Sequence, residues 1–588
     1  MKKLGMSFAT VVLASTAGSW MAACSSDDPA ATTATGGGGT ASTAAGSTAG
    51  GPTTSGPATS AGPVTGSTGV GSPVTGSSDT GSTSTGGPVT GGDVTSSSVT
   101  GGGGATAVTS TDGGTTDATT TGGPVVPEPS LITSGPGAYW TVGEVTMGGA
   151  SANVTVNSGE MFQEWHGWGG TFNEKGWQAL QALSEEDRTL AINLLFSVTD
   201  GLGLDWGRIP IGPSDYALER YHLSSAPGQF SIDHDLQYLI PYIKAAQAVK
   251  NDVKYWASPW TPPPWAKSGN TENSGYDKGY FNTQYYQEYA DFFVAWIQAY
   301  EAQGIPIDHV MPQNEPGWAQ SYPTCAFGPA TDSTNQVELP NPVTLGTFVD
   351  GYLFPALDAA GLSTKVWFGT LSNNKYFQDY VDDMKNKPSW NRIVGFGLQW
   401  ETEQSLAAAR NSGKLIMQSE HKCGNYPWLG SKATSREDAR YDNFLPTMAP
   451  NNHSYALESW GLFKSWIEGG VHIYSAWNMV LDHEGFNLDQ VRPWPQNALL
   501  AVNMGAGTLE VTPYYYVFRH VAQYVDVGAV RIGVSGGNAL AFKNPDGSIV
   551  TILHNEGQSP SDTTLSIDGT LVQVQIPAQG WATVNWQG

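Results

Sequence analysis

Between Trp165 and Trp477 short apolar runs alternate with amphipathic stretches, and this alternation limits the fold more than any other feature of the chain. Strand-like runs fall at Glu164–Gly169, Leu204–Pro210, Lys254–Pro259, His309–Gln313, Lys365–Phe368, Ile393–Leu398, Leu415–Ser419 and Val471–Trp477. Helical spacing fills the intervals, as in Ser184–Phe196 and in Gln284–Gln303, which opens after Asn282-Thr283. Eight strand–helix units in about 320 residues predict an α/β fold, a (β/α)8 TIM barrel over residues 161–495. Functional groups in that architecture gather at the C-terminal ends of the strands.

The segments on either side of the barrel have different compositions. From about Glu510 the runs Asn538–Phe542, Ser548–His554, Asp562–Ile567 and Leu571–Ile576 alternate apolar and polar residues between turn formers, the pattern of an antiparallel β domain. Strands around Ala138–Thr146 and Asn153–Asn157 are expected to complete it, so residues 133–160 and 496–588 together make a fused antiparallel β-sandwich side domain. Residues 24–132 are Gly, Thr, Ser, Ala and Pro, with Gly-Pro-Val-Thr at Gly62, a similar form at Gly71 and a repeat at Gly87. Such a stretch buries too little surface to offset its ordering entropy and is expected to be a disordered stalk. As a flexible coil it would span roughly 60 Å. Residues 1–23 read as an export signal, with Lys2 and Lys3 ahead of the apolar Val11–Ala14. Met21-Ala22-Ala23-Cys24 fits a lipoprotein signal in which Cys24 carries the lipid, and Ser25 after it points to the outer membrane or cell surface; the alternative is an ordinary cleaved signal and a secreted protein.

Charge and cysteine content exclude several function classes. The net charge is −25 and there is no Lys/Arg run, which argues against nucleic acid and against docking on anionic lipid. Membrane association is therefore expected only through the lipid at Cys24. Two cysteines besides Cys24, with no CxxC or HExxH pattern, do not build a structural zinc site. Cys325 and Cys423 follow Glu315 and Glu420 by ten and three residues and are candidates for a disulfide in an oxidising compartment. No feature calls for a partner chain, so a monomer is the default.

The chemistry lies in two strand-end carboxylates. His309–Pro316 reads HVMPQNEP, a strand running into Asn314-Glu315-Pro316, and Glu420 ends the run LIMQSE. Glycoside hydrolysis by double displacement needs two carboxyl groups about 5–5.5 Å apart, one attacking and one handling the proton. Glu315 and Glu420 on opposite strands of one barrel mouth fit that need, and Asn314 is placed to hydrogen-bond a sugar 2-hydroxyl. Each glutamate read alone could instead be a loop-end cap or an ion-pair partner. Ser258-Pro259-Trp260-Thr261-Pro262-Pro263-Pro264-Trp265 is a stiff loop whose indoles are either walls for a sugar or a structural corner. Arg208 can steady a catalytic carboxylate and Asp215 can accept from sugar hydroxyls; a structural salt bridge between them is the alternative. His166, His421 and His472 read as hydrogen-bonded wall residues.

The stretches HGWGGTFNEKG (166–176), GLGLDWGRIPIGPSD (201–215), SPWTPPPWAKS (258–268), QNEP (313–316), MQSE (417–420) and SAWNMVLDHEG (475–485), in this order, resemble glycoside hydrolase family 30, the glucosylceramidase-like family. The resemblance covers about residues 140–588. It implies a barrel with a fused β-sandwich, a retaining mechanism and no cofactor. It also implies that Glu315 is the acid/base and Glu420 the nucleophile, with Asn314, Asp215, Trp260 and Trp477 lining the attacked sugar and Arg208 behind them. The chain departs from the glucosylceramidase branch at Leu398-Gln399-Trp400-Glu401, where that branch has a His-Trp-Tyr run. Gln399, Trp400 and Glu401 join the expected substrate-binding set, Glu401 as a third carboxylate that can bind a hydroxyl or raise the acid/base pKa. Insertions around Pro323–Pro342 and Cys423–Pro450 are expected to remodel the mouth. The reading is a β-glycosidase acting on a carbohydrate, a β-glucan first; a glycolipid hydrolase, a xylan-type endo-hydrolase and a non-catalytic carbohydrate-binding surface protein are the alternatives.

Overall fold

The computed structural model describes residues 129–424, 451–489 and 495–587. Cys24, the signal and nearly all of the stalk lie outside them, as does most of the second insertion.

The barrel strands are β1 (Gly167–Thr171), β2 (Trp206–Ile211), β3 (Lys254–Pro259), β4 (His309–Val310), β5 (Phe368–Leu371, with Lys365–Val366 just before it), β6 (Gly395–Gln399), β7 (Leu415–Glu420) and β8 (Ile473–Asn478). All neighbours are parallel, and the ring closes within the fifth strand. Lys365–Val366 pairs with β4, while Phe368 and Leu371 pair with β6. Trp206, Trp256, Met311, Trp367, Met417 and Ile473 fill the interior below the mouth. Local chemistry explains several boundaries. Helix Glu185–Phe196 starts where the Ser184 hydroxyl accepts from the Asp187 N–H, with three acidic residues in its first turn. Strand β3 ends at Pro259, and the prolines that follow cannot extend a ladder. Strand β4 is shorter than its sequence implies, because Pro312 has no N–H to donate.

The second layer is a ten-stranded sheet region drawing on both ends of the described chain. Ser130–Gly135 lies between Ala138–Val142 and Gly580–Trp586, and Val154–Glu164 between Val530–Ser535 and Ser561–Ile567. Leu131, Val154, Val156, Ile532, Leu565 and Val584 are in its separate core. Two details differ from the sequence reading. Glu164 closes a strand of this sheet and the first barrel strand begins only at Gly167. The opening part of the tail, residues 500–511, pairs with Val480–Asp482 beside the barrel and leads into helix Pro513–Ala522. Thr512 caps that helix and Pro513 occupies its first turn, a start signal that outweighs the β-like run before it. The helix is a brace between the layers: buried His520 bridges the Ser134 and Thr583 hydroxyls, both at 2.8 Å. Among the described residues no helix is long and apolar enough to cross a membrane.

Candidate active site

Arg208 organises the mouth of the barrel. It lies on β2 with no exposed surface, so its guanidinium must find all its acceptors within the protein. Nη1 donates to Glu420 Oε2 at 2.5 Å, Nη2 to Asn314 Oδ1 at 2.7 Å and to Ser258 Oγ at 3.0 Å. The alternative of an Arg208–Asp215 salt bridge is not what forms; the ion pair is with Glu420. Below the guanidinium lie the rings of Trp256, Trp260 and Trp477, with Cζ at 4.9, 4.1 and 5.4 Å from their centroids. Trp260 and Trp477 stack on each other at 5.2 Å. A planar cation over aromatic faces and three acceptors in its plane is a geometry that arginine supports and lysine does not.

This contact also settles which way Asn314 points. Arginine only donates, so the atom facing it is the carbonyl oxygen, which also accepts from Thr370 Oγ1 at 2.7 Å. The Asn314 amide hydrogens are thereby turned away from Arg208 and remain for a ligand. Glu420, the last residue of β7, is held at both oxygens, by Arg208 and by Trp400 Nε1 at 2.7 Å. Glu315 sits just beyond β4 with a left-handed φ of 50°, anchored by its N–H to Thr370 O at 2.9 Å. Its carboxyl accepts from Gln399 Nε2 at 3.1 Å and from the Tyr322 hydroxyl at 2.9 Å.

The charge balance of this pit follows from burial. Three carboxyl groups, of Asp215, Glu315 and Glu420, are each less than a tenth exposed around one arginine. Arg208 is committed to Glu420, and the other two then avoid ionising. Burial, and next the charge of Glu420, pushes Glu315 up to about 7. Burial, then Glu420 and Glu315, pushes Asp215 well above the usual carboxylate range. Among the described residues, buried Asp215 Oδ1, Gln399 Oε1 and Trp477 Nε1 have no hydrogen-bond partner. Buried polar atoms left open in one place are the mark of a site that a polar ligand completes.

The structure therefore brings Arg208, Asp215, Trp260, Asn314, Glu315, Gln399, Trp400, Glu420 and Trp477 together. Glu401 stands apart. Its side chain is 69% exposed and paired with Lys422 at 2.6 Å, and it is not among the groups that raise Glu315; the third carboxyl of the pit is Asp215. Trp265 also turns away, donating to Ser224 O at 3.2 Å and packing edge-on against Tyr285. The disulfide does not form: Cys325 and Cys423 are free and buried. Cys325 faces Lys267 and Tyr380, whereas Cys423 lies near Glu420 and Asp215, so nearness in sequence to the two glutamates does not make the thiols neighbours. His421 and His472 are structural, hydrogen-bonded to Tyr474 and to the Ile416 N–H. His166 lies tilted against His472, with ring centroids 5.6 Å apart, and has Glu164 within 3.7 Å. Tyr322, Thr370 and Ser258 were not legible as site residues. Ser258 stands inside a proline-rich motif that attracts notice for its indoles, and Tyr322 and Thr370 carry no local signal.

A (β/α)8 barrel with two glutamates at strand ends, an arginine between them and aromatic walls defines a glycoside hydrolase. Residues 165–384 match the glycosyl hydrolase family 30 TIM-barrel domain and residues 528–584 the family 30 β-sandwich domain. Both domains of glycoside hydrolase family 30 thus have their match in this chain. It is 22% identical to mouse lysosomal acid glucosylceramidase over 72% of this chain and 82% of that one. It is 25% identical to an endo-1,6-β-D-glucanase of Trichoderma harzianum, over 64% and 75%. In fold it is similar to a solved endo-β1,6-glucanase, with a TM-score of 0.65 at 24% identity, covering 79% of this chain and all of that one.

Proposed function

We propose that this enzyme cleaves a β-glucan by double displacement, with Glu420 as nucleophile, Glu315 as acid/base and Asp215, Asn314, Trp260, Gln399, Trp400 and Trp477 holding the attacked sugar. The observation that carries the reading is the asymmetry between the two glutamates around Arg208. Glu420 is paired with the cation and Glu315 is not, and burial with the neighbouring Glu420 raises Glu315 to about 7, so Glu315 is the carboxyl poised to give and take a proton near neutral pH. Environments that push two titratable groups apart define an acid and a base.

In the first step a Glu420 oxygen attacks the anomeric carbon as Glu315 protonates the departing oxygen, leaving a glycosyl ester on Glu420. In the second, Glu315, now a carboxylate, takes a proton from water as that water displaces Glu420. The amide of Asn314 strengthens its hold on the 2-hydroxyl as positive charge grows at the ring. Two relatives described as endo-1,6-β-glucanases support a β-1,6-glucan as the first substrate to try. A 2-deoxy-2-fluoro-β-glucosyl fluoride should trap the ester, and peptide mapping should place the label on Glu420; a label elsewhere defeats the assignment. Product analysis on β-1,6-glucan, β-1,3-glucan, xylan and glucosylceramide then ranks the substrates, and preference for the lipid would overturn the glucan reading.

Glu315 also makes a prediction about stability. Its folded-state pKa near 7 lies above the ordinary 4.5. The folded state therefore holds this proton more tightly, and stability present below about pH 4.5 is lost as pH rises through 7. At about 1.4 kcal/mol per unit the full cost approaches roughly 3 kcal/mol. Glu315→Gln keeps the shape and cannot ionise, so it should unfold at a higher temperature than the parent at pH 8 and at the same temperature at pH 4.5. Equal melting at both pH values would show that Glu315 titrates normally. The parent's kcat/KM should fall above about pH 7 as the acid is lost.

A further inference from the structure

The proton that Glu315 delivers goes to the oxygen of the departing group, so that group leaves from Glu315's side of the pit. A groove of about 670 Å³ is lined by segments that follow β4, β5 and β6, together with Leu462 of helix His453–Glu468, and its Trp318 comes from the same loop as Glu315. Trp318 is three residues past Glu315 and returns its N–H to the Glu315 carbonyl at 3.0 Å. Asn373 Nδ2 donates to Gly317 O at 3.1 Å, Asn374 Nδ2 to Glu401 O at 2.9 Å, and Ser405 Oγ to Asn374 Oδ1 at 2.8 Å. These bonds tie the three loops into one surface that needs little ordering when a ligand arrives.

Trp318 is half-buried, and among the described residues its ring stacks on no other aromatic ring and its Nε1–H has no acceptor. Most other indoles near the mouth pack against rings or donate within the protein, so this open face stands out. Around it are the half-buried Ser372, Asn373 and Asn374. The charges at the rim are already matched: Glu401 pairs with Lys422, and Lys375 with Glu338. Burial also pushes Glu403 up towards its neutral form. One indole face beside Ser372, Asn373, Asn374 and Gln404, with the rim charges of Lys375 and Glu401 already paired, suits a pyranose, whose C–H face stacks while its hydroxyls reach the amides. The lining has one aliphatic side chain, Leu462, which is too little apolar wall for two alkyl chains.

We propose that this groove is the leaving-group subsite, that it holds a neutral sugar unit against Trp318, and that it thereby makes the enzyme prefer a glycan to a glycolipid. The proposal rests on Glu315 being the acid/base. The same subsite receives an acceptor sugar in the reverse sense. The acceptor hydroxyl attacks the anomeric carbon, the bond to Glu420 breaks, and the hydroxyl proton passes to the Glu315 carboxylate.

The test compares the parent enzyme with Trp318→Ala, Trp318→Tyr and Asn374→Ala on a β-1,6-gluco-oligosaccharide and on β-glucosyl fluoride, whose leaving group fills no subsite and needs no proton. For Trp318→Ala the ratio of kcat/KM on oligosaccharide to that on fluoride should fall about 10–100-fold, and transfer to added gentiobiose should fall at least about tenfold relative to hydrolysis. Trp318→Tyr, which keeps a flat ring, should recover most of both, and Asn374→Ala should show the same pattern more weakly. A Trp318→Ala variant that keeps the parent's ratio and transfer yield overturns the proposal, as does a fall confined to glucosylceramide. A parent inactive on both donors overturns the β-glucosidase reading and this proposal with it, whereas a parent active on the fluoride alone overturns the acid/base assignment.

Discussion

Glu420→Gly is expected to lower turnover of β-glucan by at least about 10⁴-fold, the scale of losing a covalent nucleophile. No neighbour can take over. Glu315 is held by Gln399 and Tyr322, and burial pushes Asp215 well above the usual carboxylate range, which makes it a poor nucleophile. The variant leaves a void the size of a carboxylate directly above Arg208, whose charge has lost its ion-pair partner. A small anion is drawn to that place. Azide should therefore restore turnover of an activated aryl β-glucoside and yield the α-glucosyl azide, an inverted product, because the attack is now single. More than 1% residual activity without azide, or a β-configured azide product, would remove Glu420 from the nucleophile's role.

Arg208→Met is expected to have the second-largest effect, on stability and activity together. Removing one member of a buried pair leaves an uncompensated charge and costs about 3–5 kcal/mol. Glu420 would then take up a proton rather than stay charged in the pit, and a protonated carboxyl does not attack. Activity should fall by at least about 10³-fold. The double variant Arg208→Met with Glu420→Gln should regain part of the lost stability, because neither charge is then buried alone, while activity stays absent. Additive destabilisation in that cycle, measured by denaturant unfolding, would show that the two side chains do not act as a pair. Arg208→Lys should not rescue turnover, since one ammonium cannot serve Glu420, Asn314 and Ser258 in a plane.

The two largest effects fall on residues whose positions were legible in the sequence but whose pairing was not. Arg208 lies within a strand-like run and Asp215, Glu315 and Glu420 follow one, and barrel periodicity puts all four near one rim. That Arg208 chooses Glu420 over Asp215 depends on distances between β2 and β7, segments 200 residues apart in the chain. The misjudged positions have the same origin. Glu401 is close to the site in sequence, yet Lys422 draws it outward into solvent. Cys325 and Cys423 each follow one of the two paired glutamates, yet both are buried and stay thiols. Tyr322 and Trp318 come from a loop with no periodicity, and nothing local marks either as facing Glu315.

The sequence by itself determined the architecture and the rim. Strand and helix periods are local properties, and strand ends in a closed parallel barrel converge without further instruction. Only the tertiary structure decided how charge is shared within the pit. Among the described residues one cation meets three buried carboxyls and pairs with Glu420, and the cost of burying a second charge raises Glu315 to about 7. That cost exists only once the chain has closed around the site and excluded water from it.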